Sequence, residues 1–177
     1  MSDNIPALAA GFIREQSRKG LLSTENNVIN RFEQDAGNGL SLSELSENKE
    51  YGDLQRISGE KADYWYSTSC MTSSYAEIAV LLEEKDLLSL IVNTVRRESS
   101  LYPRPTAIEI FEYSPYFMKK EEIETMMSII ENDTRYSDIE KCATSIDKFY
   151  LFSTKFLPKA QAEYLSEWDA VGQYENQ

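Results

Sequence analysis

The chain has 177 residues, with 30 acidic side chains against 18 basic ones, two cysteines and no histidine. That length holds one domain or two small ones with a real core, and 41% apolar content rules out a disordered chain. A net charge of −12 argues against a nucleic-acid backbone binder, and the missing histidines remove Ser-His-Asp and Cys-His catalysis and most zinc sites.

The N-terminus reads Met1-Ser2-Asp3-Asn4, acidic where a signal peptide would be basic, and its apolar stretch soon meets Arg14. No signal peptide is expected, and the expected location is the cytoplasm. Residues 7–18 have helical spacing, residues 27–32 read as a strand, and residues 41–48 as a short helix. Gly37-Asn38-Gly39 marks a loop. Residues 54–58 and 64–68 form a predicted hairpin around Ser58-Gly59-Glu60, and residues 73–84 a closing helix. The apolar window 79–92 is broken by Glu83-Glu84-Lys85-Asp86, the polar joint between two helices, so no segment is long enough to span a bilayer.

After the joint, Leu87, Leu88, Leu90, Ile91, Val92 and Val95 form a helical stripe that Tyr102-Pro103-Arg104-Pro105 must end, since proline cannot continue a helix. Residues 106–113 alternate and are β-branched, which predicts a strand broken at Ser114-Pro115. Residues 119–132 predict an amphipathic helix with Ile123, Met126, Met127, Ile129 and Ile130 inward. Residues 139–144 and 148–154 read as a second hairpin around Ser145-Ile146-Asp147. Pro158 opens a last helix with Ala162, Leu165 and Trp168 along one side.

The two halves repeat one another. Tyr51-Gly52-Asp53-Leu54-Gln55-Arg56 lies over Tyr136-Ser137-Asp138-Ile139-Glu140-Lys141, and Tyr64-Trp65-Tyr66-Ser67-Thr68 over Tyr150-Leu151-Phe152-Ser153-Thr154. Glu47-Asn48 answers Glu131-Asn132, and Ile13-Arg14 answers Val95-Arg96 more weakly. Residues 1–85 carry 14 acids and 8 bases and residues 86–177 carry 16 and 10, so each half contributes −6. The expected fold is therefore α+β: a helix-strand-helix-strand-strand-helix unit written twice. Antiparallel sheets would carry helices on one face, and the repeats, 1–85 and 86–177, would pack as one body about a pseudo-twofold axis. In topology this order resembles the duplicated modules of gyrase-inhibitor-like ligand-binding proteins, and the resemblance carries over no residue.

Chemistry-bearing patterns are sparse. Glu121, Glu122 and Glu124 open a helix, where negative charge suits the dipole better than acid-base work. The glycines form no phosphate-cradling loop or dinucleotide fingerprint, so no cofactor is expected, and neither is a metal. Cys70 and Cys142 are far apart and read as free thiols.

The second half alone carries aromatic loops around Tyr102, Arg104, Tyr113, Tyr116 and Phe117, residue types enriched at interface cores. In the competing view, Phe117 and Met118 staple the next helix to the core. The leading expectation is a non-enzymatic cytoplasmic accessory, adaptor or inhibitor protein, steered by its acidic surface to a basic protein partner. The alternative is a small-molecule-binding protein with a pocket between the repeats, lined by Tyr64, Tyr66, Tyr150 and Phe152 on alternating strand positions.

Overall fold

A computed structural model describes residues 5–36 and 41–175, and the chain divides into two units, Met1–Lys85 and Asp86–Gln177. The first runs α1 (Ile5–Arg18), β1 (Ser23–Thr24), α2 (Glu25–Ala36), α3 (Leu42–Glu47), β2 (Leu54–Ser58), β3 (Asp63–Ser67) and α4 (Ser73–Glu84). The second runs α5 (Leu87–Leu101), β4 (Thr106–Ala107), a 3-10 turn (Ile108–Glu112), α6 (Lys120–Asn132), β5 (Ile139–Ala143), β6 (Phe149–Ser153) and α7 (Lys159–Glu175). The class is α+β, as the hydrophobic patterning requires. Each unit holds a three-stranded antiparallel sheet, ordered β1-β3-β2 in the first and β4-β6-β5 in the second.

Helices cover both faces of the sheets, where the sequence pointed to one. Trp65 of β3 packs with Ala9, Ala10 and Ile13 of α1 and Val28 of α2, whereas its neighbour Tyr66 packs with Met71 and with Ala76 of α4. In the second unit Tyr150 and Phe152 of β6 meet Ala162 and Ala170 of α7, and α5 also packs on β6. The cause lies in the central strands. Both alternating sets of their side chains are apolar and large, so leaving either face wet would expose an aromatic or a leucine.

Two strand assignments change. Residues 27–32 belong to helix α2: Val28, Ile29 and Phe32 recur at helical spacing, and Thr24 Oγ1 accepts the Asn27 N–H at 3.2 Å. Of residues 106–113 only Thr106 and Ala107 are strand, because the chain then tightens into the 3-10 turn that buries Phe111 completely. In α6 Ile123 and Ile130 are buried, while Ile129 is exposed; the helix presents a narrower inward stripe than its apolar content suggests. Gly37-Asn38-Gly39 lies outside the described residues.

The same polar clamp occurs in each unit. Arg14 Nε donates to Asp53 Oδ2 at 2.9 Å and Ser67 Oγ to the same oxygen at 2.6 Å; Ser67 N donates to Ser17 Oγ at 3.0 Å. In the second unit Arg96 Nε reaches Asp138 Oδ2 at 3.0 Å, Ser153 Oγ reaches it at 2.8 Å, and Ser153 N donates to Ser99 Oγ at 3.0 Å. Thr68 N and Thr154 N each donate to the aspartate's own carbonyl at 2.7 Å. Each clamp ties the first helix of its unit to the end of the central strand. A charge-assisted, two-nitrogen grip of this kind fixes orientation as well as charge.

A second shared device holds the hairpin tips. Glu84, at the end of α4, accepts the backbone N–H groups of Glu60 and Lys61 at 3.0 and 2.8 Å. Glu167 of α7 accepts the Ser145 N–H at 2.9 Å and its hydroxyl as well. The joint between Glu84 and Asp86 is built as the charges suggest. Lys85 takes a left-handed φ of 57° to end α4, and Asp86 caps α5 by accepting the Ser89 N–H at 3.1 Å.

Candidate binding cleft of the second unit

A cleft of about 530 Å³ lies within the second unit, beside the end of α5, β4 and α7. The proline-bearing segment after α5 forms one wall. Tyr102 N closes the helix on the Glu98 carbonyl at 3.1 Å, and the chain then turns so that Arg104 comes back to Glu98, Nε to Oε2 at 2.5 Å. The Arg104 guanidinium lies over the Tyr102 ring, 5.1 Å from its centroid. Tyr116 stands on a second side, its ring packed edge-on against buried Phe111 with centroids 5.0 Å apart.

Helix α7 supplies the third side. Ala162, Ser166 and Ala170, spaced by four, form its buried stripe and set its rotation. Trp168 therefore falls outside the core; it is 66% exposed, against the inward position expected from the sequence, and it lines the cleft with Leu165 and Asp169. The Tyr150 hydroxyl donates to Asp169 Oδ2 at 2.8 Å. Burial first, and then the Asp169 carboxylate, push the Tyr150 phenol well above the ordinary tyrosine range, so it remains a donor at neutral pH. The cleft's two carboxylates are thus treated differently: Glu98 meets a guanidinium, Asp169 a neutral phenol.

The candidate residues of the aromatic loops have separate fates. Tyr102, Tyr113 and Phe117 are exposed, Arg104 and Tyr116 line the cleft, and Met118 alone of the proposed staple pair is buried. Phe117 is 72% exposed and held at a φ of +48°, a region that non-glycine residues rarely adopt. Tyr116 N and Phe117 N both donate to the Tyr113 carbonyl, at 2.8 and 3.0 Å, and Met118 N to that of Phe111 at 2.8 Å. These bonds fix the turn and leave both outer rings in solvent.

Of the alternative set, Tyr64, Tyr66, Tyr150 and Phe152 are all buried among the side chains of their own units, and Tyr150 reaches the cleft wall. Trp168, expected inward, and Asp169, which carries no motif, are cleft residues that the sequence pattern does not mark as a site. The signal available was the small-residue stripe Ala162-Ser166-Ala170, which places both of them off the buried side. Cys70 is half-buried and Cys142 buried, and both are free thiols. Among the described residues no helix is long and apolar enough to cross a membrane.

Residues 85–174 match the family model of the YdhW C-terminal domain, which takes in the whole cleft. Over 171 residues the chain is 32% identical to a protein of Escherichia coli (strain K12) described as uncharacterized protein YdhW; the match covers 96% of this chain and 80% of that one. No solved structure matches.

Proposed function

The chain belongs to the YdhW family, and on that premise we propose that it is a non-enzymatic accessory or adaptor protein that docks a protein partner on the aromatic end of its second unit. The observation that carries this reading is the exposure of Tyr113 and Phe117, 65% and 72%, on a hydrogen-bonded turn next to the cleft. The left-handed φ of Phe117 is backbone strain of the kind kept at functional sites, and exposed aromatics of this kind anchor interfaces. The −12 charge suits a basic partner, which it would steer over distances of about a Debye length. It disfavours direct contact with a nucleic-acid backbone. The cytoplasm is the compartment that fits, and we take the shared clamps and matching sheet orders as signs of a tandem duplication whose second copy specialised.

The test is capture from native lysate at low and high salt by the wild-type chain and a Tyr113→Ser/Phe117→Ser variant. A stoichiometric partner that weakens with salt and is lost by the variant supports the reading. No partner under either condition, or equal capture by the variant, contradicts it.

A second reading, small-molecule binding, draws on the size of the cleft, which falls within the range of ligand pockets. A thermal-shift screen that finds no stabilising ligand would count against it.

A further inference from the structure

We propose that the cleft of the second unit receives one lysine side chain of the protein partner, its ammonium at the Asp169 carboxylate and its alkyl stem along Leu165 and Trp168. The inference rests on the accessory reading above and names the partner chemistry of that same site.

Charge on the cleft walls gives the sign of the guest. Glu98, Asp169 and Arg104 sum to −1, and Arg104 is already spent on Glu98 at 2.5 Å. Among the described residues, the cleft carboxylate whose hydrogen-bond partner is uncharged is Asp169, held by the buried Tyr150 hydroxyl, which stays protonated. A cation is therefore the guest that completes the charge balance, and the acidic chain around it favours the approach of one.

The walls give its shape. Trp168 and Tyr116 bring aromatic rings to the lining, and Leu165, Ile110 and Ala107 bring apolar surface for a stem. Asp169 also discriminates between the two basic side chains. Its Oδ2 already accepts the Tyr150 hydroxyl at 2.8 Å, so any second ligand shares the carboxylate with that bond. A planar guanidinium gains most from gripping both carboxylate oxygens, whereas an ammonium is a compact point charge that one oxygen serves well. Lysine fits; arginine forfeits its fork.

The full chain supplies its own reporter. Trp65 is 2% exposed and Trp168 66%, so a small solute near the surface perturbs Trp168. Nα-acetyl-lysine methylamide is titrated against tryptophan fluorescence, with the arginine and glutamate counterparts in parallel, on wild type, Asp169→Asn and Trp168→Phe. The expected result is a saturable response to the lysine compound that vanishes in Trp168→Phe. It should weaken up to about fivefold in Asp169→Asn, the size of a partly exposed ion pair. The arginine compound should bind more weakly than the lysine one, and the glutamate compound should give no saturation.

No saturable lysine response, an unchanged response in Asp169→Asn, or equal binding of the arginine compound overturns the proposal. If the captured partner binds Asp169→Asn as it binds wild type, the lysine assignment falls and the accessory reading stands. If the lysine compound binds but no partner is ever captured, the accessory reading falls, and with it the partner as the lysine's source.

Discussion

Arg96 holds Asp138 through two nitrogens at once, Nε to Oδ2 at 3.0 Å and Nη2 to Oδ1 at 2.6 Å, and Arg14 holds Asp53 the same way at 2.9 and 2.5 Å. The surroundings differ at one matched position. Asp138 is also reached by Lys155 at 3.3 Å, where Asp53 has the Ser69 hydroxyl at 3.2 Å. Removing one partner from a buried pair strands the other, at a cost that grows with burial. The Asp138 side chain is 5% exposed and that of Asp53 20%. Asp138→Asn should therefore cost about 3 kcal/mol and Asp53→Asn about 2 kcal/mol in denaturant unfolding.

The same clamps set a pH dependence. Hydrogen bonding to Arg14 and Arg96, more than any other influence, holds the Asp53 and Asp138 carboxyls well below the ordinary carboxylate range. A group whose pKa is lower in the folded state adds stability that is full above its unfolded pKa of about 4 and is lost as pH falls through the acid range. Urea midpoints should drop between pH 7 and pH 3, and Asp138→Asn should flatten the fall. An equal slope in the variant would assign the acid loss to other carboxylates.

Ser23 of β1 and Thr106 of β4 face the corresponding central strands at matched register, and each buries a hydroxyl without a hydrogen-bond partner. An unpaired buried hydroxyl costs free energy that an isosteric methyl does not. Thr106→Val should leave stability unchanged or raise it by up to about 1 kcal/mol. A clear loss in thermal unfolding would mean that the hydroxyl has a role in the fold.

Gly59, at the first hairpin tip, has no room for a side chain. A Cβ there would lie 2.1 Å from Glu84 Oε1 and 2.9 Å from Tyr64 Cε2. Glu84 cannot retreat without releasing the Glu60 and Lys61 N–H groups it accepts. Gly59→Ala should cost about 1–2 kcal/mol in denaturant unfolding followed at the buried Trp65.

Much of the architecture was legible because it depends on local pattern. The two hairpins and the closing helix at residues 73–84 follow from alternation, turn residues and helical periodicity, and their boundaries fall within a residue or so of expectation. Residues 27–32 and 106–113 misled for one reason. A short run of β-branched residues satisfies both periods, and the choice is made by what the chain packs against. The clamp partners Ser17 and Ser99 carry no motif, yet each stands three residues after its arginine, a match that reinforces the weak pairing of Arg14 with Arg96. The aromatic loops were visible as composition, whereas the cleft was not: it exists because the rotation of α7 turns Trp168 and Asp169 outward. That rotation is a tertiary fact.

The most direct test of the binding account is the affinity of the captured partner for the wild-type chain and for Trp168→Ala, measured side by side at one salt concentration. Trp168 borders the cleft and is exposed, so its loss should leave the fold intact. An anchoring aromatic removed from an interface should weaken binding at least about tenfold. Equal affinities would contradict a docking site at the aromatic end of the second unit.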